Sequence, residues 1–182
     1  MLLAPVMLLA QAGGVMPDWE VREAALALEK HTKAVDGLLD QLRPEEWTAQ
    51  GAPAAYVAQL KQSREFNSYL AAEAGHLAEQ PGRLSTALNA FLRLDYLQSL
   101  LDSVTAGARR YQNAALADLL ASAISQNSTT RELLKEYTRQ LAIEREKEWE
   151  IANLEAQRCR AILSKRPPAT PRKPPAKPAP KP

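Results

Sequence analysis

The sequence predicts an all-α protein, an antiparallel up-down four-helix bundle with short extra helical segments and a disordered Pro/Lys-rich C-terminal tail. Three observations predict it. Apolar residues recur at steps of three and four in four long stretches, the period of a helix that buries one face. Proline and glycine mark the joints between those stretches, where they end helices and form turns. No alternating apolar run lies between turn residues, so nothing supports a strand. A helical-repeat array is the competing architecture, but the chain shows no self-similarity at a fixed period.

The first helix is expected over Trp19–Leu42. Asp18 is its predicted N-cap, and Glu20 and Glu23 favour the positive end of the helix dipole. Val21, Ala25, Leu28, Thr32, Val35, Leu39 and Leu42 form its seam. Pro44 stops it, and Pro44-Glu45-Glu46-Trp47 reads as one further helical turn with proline at the first position. Gly51 closes this connection. The second helix opens at Ala52-Pro53 and reaches about Gln80, with Tyr56, Leu60, Ser63, Asn67, Leu70, Ala74 and Leu77 as its seam. Two of these are polar. A buried Asn67 needs partners, because an unsatisfied amide costs about 1–3 kcal/mol. Pro81-Gly82 is the next turn.

The third helix is the most apolar. Leu84, Leu88, Phe91, Leu92, Leu94, Leu97, Leu100, Leu101 and Val104 cover more than one stripe, which predicts neighbours on two sides. Gly107 and Gln112-Asn113 weaken it, so a kink or break is expected at 107–113, with Asn113 capping a fresh segment over Ala114–Ser125. The fourth helix is expected to start afresh at Thr129. Thr129 and Glu132 match a capping box before Leu133-Leu134, and the helix continues to about Leu163. Its seam begins with Leu134, Tyr137 and Leu141. The charged turn Glu144-Arg145-Glu146-Lys147-Glu148 interrupts it, and Trp149, Ala152, Ala156, Cys159 and Leu163 resume it. Either that turn passes a polar gap in the bundle, or the far half meets something else.

Four segments follow from this reading: 1–12, 13–17, 18–164 and 165–182. Residues 1–12 are an apolar run ending in Ala10-Gln11-Ala12, the small-x-small pattern of a signal-peptide cleavage site. No Lys or Arg precedes the run, and Pro5 interrupts it. The expected mature chain starts at Gly13, after which 13–17 is a linker, and the expected location is exported, periplasmic or extracellular. No transmembrane span is expected. About 20 apolar residues are needed, and charges recur throughout 18–165.

The chain has 23 basic and 21 acidic side chains. Six of the basic ones, Lys165, Arg166, Arg172, Lys173, Lys177 and Lys181, lie in residues 165–182 with no acid. The remaining 164 residues therefore hold 17 basic against 21 acidic groups, a net charge of −4. The eight prolines of this tail favour an extended polyproline II chain. Its six cations are candidate contacts for an anionic surface. With no aromatic residue to stack on bases, it is not expected to bind nucleic acid specifically.

Candidate chemistry is sparse. Glu73-Ala74-Gly75-His76 has the Glu-x-x-His form found in di-metal bundles, but Leu28 stands three residues before His31, so the second pair is missing. With two histidines and one cysteine there is no zinc spacing. His31 lies beside the first seam, where a histidine bonded to a neighbouring backbone is the ordinary case. Asp95 lacks a second acid close enough to share a proton. Cys159 falls on the fourth seam and is expected to pack as a small apolar residue; it is also a candidate intermolecular thiol in an oxidising compartment. Glycine-rich phosphate loops are absent.

No catalytic residue, cofactor or metal site is therefore expected. The leading expectation is an exported, non-enzymatic interaction or structural protein of the cell envelope, with a protein partner or an anionic envelope polymer. Three others compete: a small-molecule or lipid binder with a pocket among the second, third and fourth helices, suggested by polar Ser63 and Asn67 beside apolar Leu60 and Leu70, a cytoplasmic helical adaptor, and an enzyme of unfamiliar kind using His31 or His76.

Overall fold

The computed structural model describes residues 15–164. The expected signal segment and basic tail lie outside those residues. The described chain is all-α, with five helices and no strand: α1 (Asp18–Leu39), α2 (Pro44–Ala49), α3 (Ala55–Glu79), α4 (Leu84–Tyr111) and α5 (Ala114–Ser164). It divides into two compact units, one ending at Glu144 and the other beginning at Arg145.

The first unit is a helical bundle. All seven predicted seam residues of the first helix are buried, from Val21 to Leu42. Asp18 does not cap that helix; it is already helical, and Pro17 occupies the cap position in extended backbone without a side-chain bond. The Pro17 carbonyl instead accepts from the Glu20 and Val21 amides at 3.0 and 3.3 Å. The helix also stops three residues before Leu42, tightening into turns between Gln41 and Leu38 and between Leu42 and Leu39. Pro44 starts α2 as expected, and Trp47 is 1% exposed. Gly51 has φ +87°, the left-handed conformation that glycine adopts without steric cost.

Hydrogen bonds give the direction in which α3 lies on α1. The Arg22 guanidinium donates to the Ala78 carbonyl, Asn67 to the Thr32 carbonyl, and Arg64 to the Leu39 carbonyl. Early residues of one helix meet late residues of the other, so the pair is antiparallel. The same holds for α3 and α4, where Gln62 donates to Tyr96 and Ser103 to Gln59. For α4 and α5, Arg131 reaches Asp95 and Arg109 reaches Asp118. Six of the seven predicted α3 seam residues are buried, and Tyr56 is half-buried. Asn67 Nδ2 donates at 2.8 Å, but no donor among the described residues reaches its Oδ1. The desolvation cost of this amide is thus only partly offset.

The α4 prediction needs two corrections. Leu88 and Leu92 are exposed, and the buried face instead runs through Ala87, Ala90, Leu94, Leu97, Leu101, Val104, Gly107 and Ala108. Small residues let the neighbouring helices approach closely, so alanine is buried where leucine is not. Gly107 shows the same effect in its extreme form. A Cβ there would lie 2.8 Å from both the Trp47 and the Tyr56 rings. Those rings meet edge to face, 5.6 Å between centroids.

The break at 107–113 is present. α4 ends at Tyr111, and Asn113 Oδ1 accepts from the Ala115 amide at 2.8 Å. Gln112 holds this junction to the one after α1. Its Oε1 accepts from the Arg43 amide and the Trp47 indole, and its Nε2 donates to the Gln41 carbonyl. The expected start at Thr129 is not found, because α5 runs through that position without interruption. Ser125 and Ser128 turn their hydroxyls back to the carbonyls of Ser122 and Ser125. Buried Ile124, Asn127 and Leu134 keep packing on either side, so the cap sequence is overridden by burial. Tyr137, fully buried, donates to the Pro81 carbonyl at 2.6 Å and ties α5 to the α3–α4 turn.

Candidate interaction surfaces

The titratable side chains singled out in the sequence have structural or surface settings. His31 Nε2 lies 2.8 Å from the Ala123 carbonyl. A carbonyl only accepts, so this nitrogen carries the proton and the ring links α1 to α5. His76 is two-thirds exposed, at 66%, with its Nδ1 4.0 Å from Glu73. Glu73 also faces Arg93 at 3.5 Å, and the Arg93 guanidinium lies 5.1 Å from the centre of the Tyr69 ring. The Glu-x-x-His pair is therefore one corner of an ion-pair and cation–π cluster on α3 and α4. Asp95 accepts from Arg131 at 3.4 Å and is exposed, as is Asp102. Among the described residues, no three His, Cys, Asp or Glu side chains gather in a way that could hold a metal ion.

Beside Asn67 an open hollow of about 160 Å³ lies between α1 and α3, lined by Thr32, Lys33, Asp36, Asn67, Ser68 and Ala71. Ser63 is 0% exposed and donates to the Gln59 carbonyl, and Asn67 is 3% exposed. The space between α4 and α5 beside Leu97 and Asn127 measures about 10 Å³, room for no more than a water molecule. An open cleft of about 780 Å³ lies instead between α2 and α3, lined by Glu45, Thr48, Val57, Leu60, Lys61 and Arg64. Its lining is mostly apolar, and its charged groups are Lys61, Arg64 and Glu45. Periodicity holds no signal for it, because Lys61 and Arg64 sit off the α3 seam.

The second unit behaves differently from the bundle. Over residues 145–164 every residue is exposed except Asn153, which is half-buried. Trp149 is 67% exposed and Leu163 is 64% exposed. Ile151, Leu154 and Ile162 are exposed too. Cys159, expected to pack in a seam, is exposed, because the seam of Trp149, Ala152, Ala156, Cys159 and Leu163 is uncovered. Seam spacing passes over Ile151, Leu154 and Ile162, which lie off that seam.

The six tail cations Lys165, Arg166, Arg172, Lys173, Lys177 and Lys181 lie outside the described residues. Among the described residues, no helix is long and apolar enough to cross a membrane. No family model, curated protein or solved structure matches this chain.

Proposed function

We infer that this chain is an exported, non-enzymatic interaction protein of the cell envelope. The bundle serves as a scaffold, the helix over 145–164 is the contact surface for a protein partner, and the basic tail contacts anionic envelope polymers. One observation carries the reading: Trp149, Ile151, Leu154, Ile162 and Leu163 are all exposed within twenty helical residues. Scattered exposed apolar residues are normal, but a dense group on one short element marks an interaction site. The settings of His31 and His76 agree with this reading, since one is a packing bond and the other a surface pair. The export element rests on residues 1–12 alone, and the mature N-terminus in the native host tests it. A chain beginning at Gly13 is expected, and one retaining Met1 sinks that element.

Deleting 166–182 tests the tail. The melting temperature is expected to stay unchanged, while salt-sensitive binding to anionic phospholipid vesicles disappears. A full-length protein that fails to bind such vesicles at low salt removes the tail from the function.

A second reading, a binder of small anionic amphiphiles, is favoured by the α2–α3 cleft. Its volume lies within the range of about 300–1,000 Å³ usual for ligand sites, and Lys61 and Arg64 would meet a carboxylate beside a mostly apolar lining. A fatty-acid titration followed by native mass spectrometry decides it. A bound species lost in Arg64→Ala supports this reading, and no adduct at any concentration ends it.

A further inference from the structure

We propose that the helix over 145–164 pairs with the same helix of a second copy of this chain, the two running antiparallel. The inference rests on the reading of this helix as a contact surface and names its occupant. Trp149, Ala152, Ala156, Cys159 and Leu163 follow the alternating three- and four-residue steps of a coiled-coil seam, and all five are exposed. Off this seam, Ile151, Leu154 and Ile162 share the helix surface with Lys147 and Arg158 and form no continuous apolar stripe.

Charge selects both the partner and its direction. Residues 145–154 carry Glu146, Glu148 and Glu150 against Arg145 and Lys147, a net charge of −1. Residues 155–164 carry Arg158 and Arg160 against Glu155, a net charge of +1. The element is acidic in its first half and basic in its second, so it complements itself when reversed. A parallel pair would set the acidic halves together, where like charges repel.

Side-chain size gives the same answer. Bulky Trp149 and Leu163 stand at the ends of the seam, and small Ala152, Ala156 and Cys159 fill its middle. A parallel pair would hold the helices apart at Trp149 and leave the alanines facing a gap. Antiparallel pairing sets Trp149 level with Cys159 of the other copy and Ala152 level with Ala156. Large Trp149 then meets small Cys159, as close packing requires, Leu163 falls level with Arg145 of the other copy, and Glu146 comes beside Arg160 of the other copy. The two-fold axis makes this contact self-complementary and closed, so it ends at a dimer.

Sedimentation equilibrium of the full-length chain under reducing conditions is the test. A reversible monomer–dimer equilibrium in the micromolar range is expected, with Ala156→Glu weakening it at least about tenfold. Leu154→Glu, on the opposite side, is expected to leave it unchanged. Oxidation with copper phenanthroline reads direction. Trp149→Cys is expected to yield a disulfide-linked dimer through Cys159 of the other copy, and the unaltered chain is not. A chain that stays monomeric at about 100 µM, or an Ala156→Glu dimer as tight as the parent, overturns self-pairing. A Cys159–Cys159 dimer from the unaltered chain, or no linked dimer from Trp149→Cys, overturns the antiparallel direction. A monomer that still binds anionic vesicles refutes the second copy and leaves the tail reading standing.

Discussion

Two stretches of this protein carry the same pattern and meet opposite fates. Along α1 and the turn that follows it, Val21, Ala25, Leu28, Thr32, Val35, Leu39 and Leu42 step by three and four, and each is at most 2% exposed. In the second unit, Trp149, Ala152, Ala156, Cys159 and Leu163 take the same steps, and every one is exposed. Periodicity therefore reports that a helix has an apolar face, not that anything within the chain covers it. The residues along the seam differ in a way that fits this contrast. The α1 seam is mostly branched aliphatic, and burying each such side chain contributes about 1.5–3 kcal/mol. The exposed seam has alanine, alanine and cysteine at its centre, with much less area to remove from water.

Core truncation should separate the two stretches most strongly. Leu70→Ala, at a position 0% exposed, is expected to cost about 2–5 kcal/mol in urea unfolding. Leu163→Ala, in a protein dilute enough to be monomeric, is expected to stay within about 0.5 kcal/mol of the parent. Equal losses would erase the distinction between the covered and uncovered seams.

A pair of glycine substitutions sharpens it at the level of packing. Gly107→Ala pushes a methyl group to 2.8 Å from the Trp47 and Tyr56 rings, and overpacking of this kind costs about 1–3 kcal/mol. Gly37→Ala, in α1 with nothing within 4 Å of the added carbon, should stabilise by up to about 1 kcal/mol through helix propensity. Opposite signs in thermal unfolding are expected, and the same sign for both would refute the packing argument.

Tyr137→Phe removes the buried bond to the Pro81 carbonyl. The expected loss is about 0.5–1.5 kcal/mol, measured against the parent in the same urea series.

The smallest effect is electrostatic. Hydrogen bonds from Arg139, and then from Gln140, hold the exposed Glu136 carboxyl down to about 2 from its ordinary 4.5. A carboxyl depressed by folding contributes stability that is fully present above 4.5 and is lost as pH falls through about 2. The melting temperatures of the parent and Glu136→Gln should therefore converge as pH is lowered across that window, the gap staying small throughout because the pair is solvated. A gap that widens on acidification contradicts the assignment.

Much of the bundle is legible in the amino-acid order alone, and the exceptions share a cause. The seams of α1 and α3 can be read because period and residue type agree there. The α4 face departs from expectation because leucine outranks alanine in hydrophobicity, while the helix contact needs small side chains at Ala87, Ala90 and Gly107. Thr129-x-x-Glu132 imitates a helix start, but a cap works only where the chain enters from non-helical backbone, and packing around Asn127 keeps it helical. The α2–α3 cleft leaves no trace in the sequence, since Lys61 and Arg64 belong to no periodic set. At the other extreme, the scarcity of clustered reactive side chains is readable from a count of histidine and cysteine.

What the amino-acid order determined unaided is local: which stretches are helical, where proline and glycine break them, and which side of each helix is apolar. These depend on residues within one turn of each other. Which apolar side is covered, and which buried polar group finds a partner, was settled only when distant segments met. Asn67 donates to the carbonyl of Thr32, 35 positions away, and Trp47 to Gln112, 65 positions away. Such bonds depend on the distance between helices, and no property of either residue's own neighbours encodes that distance.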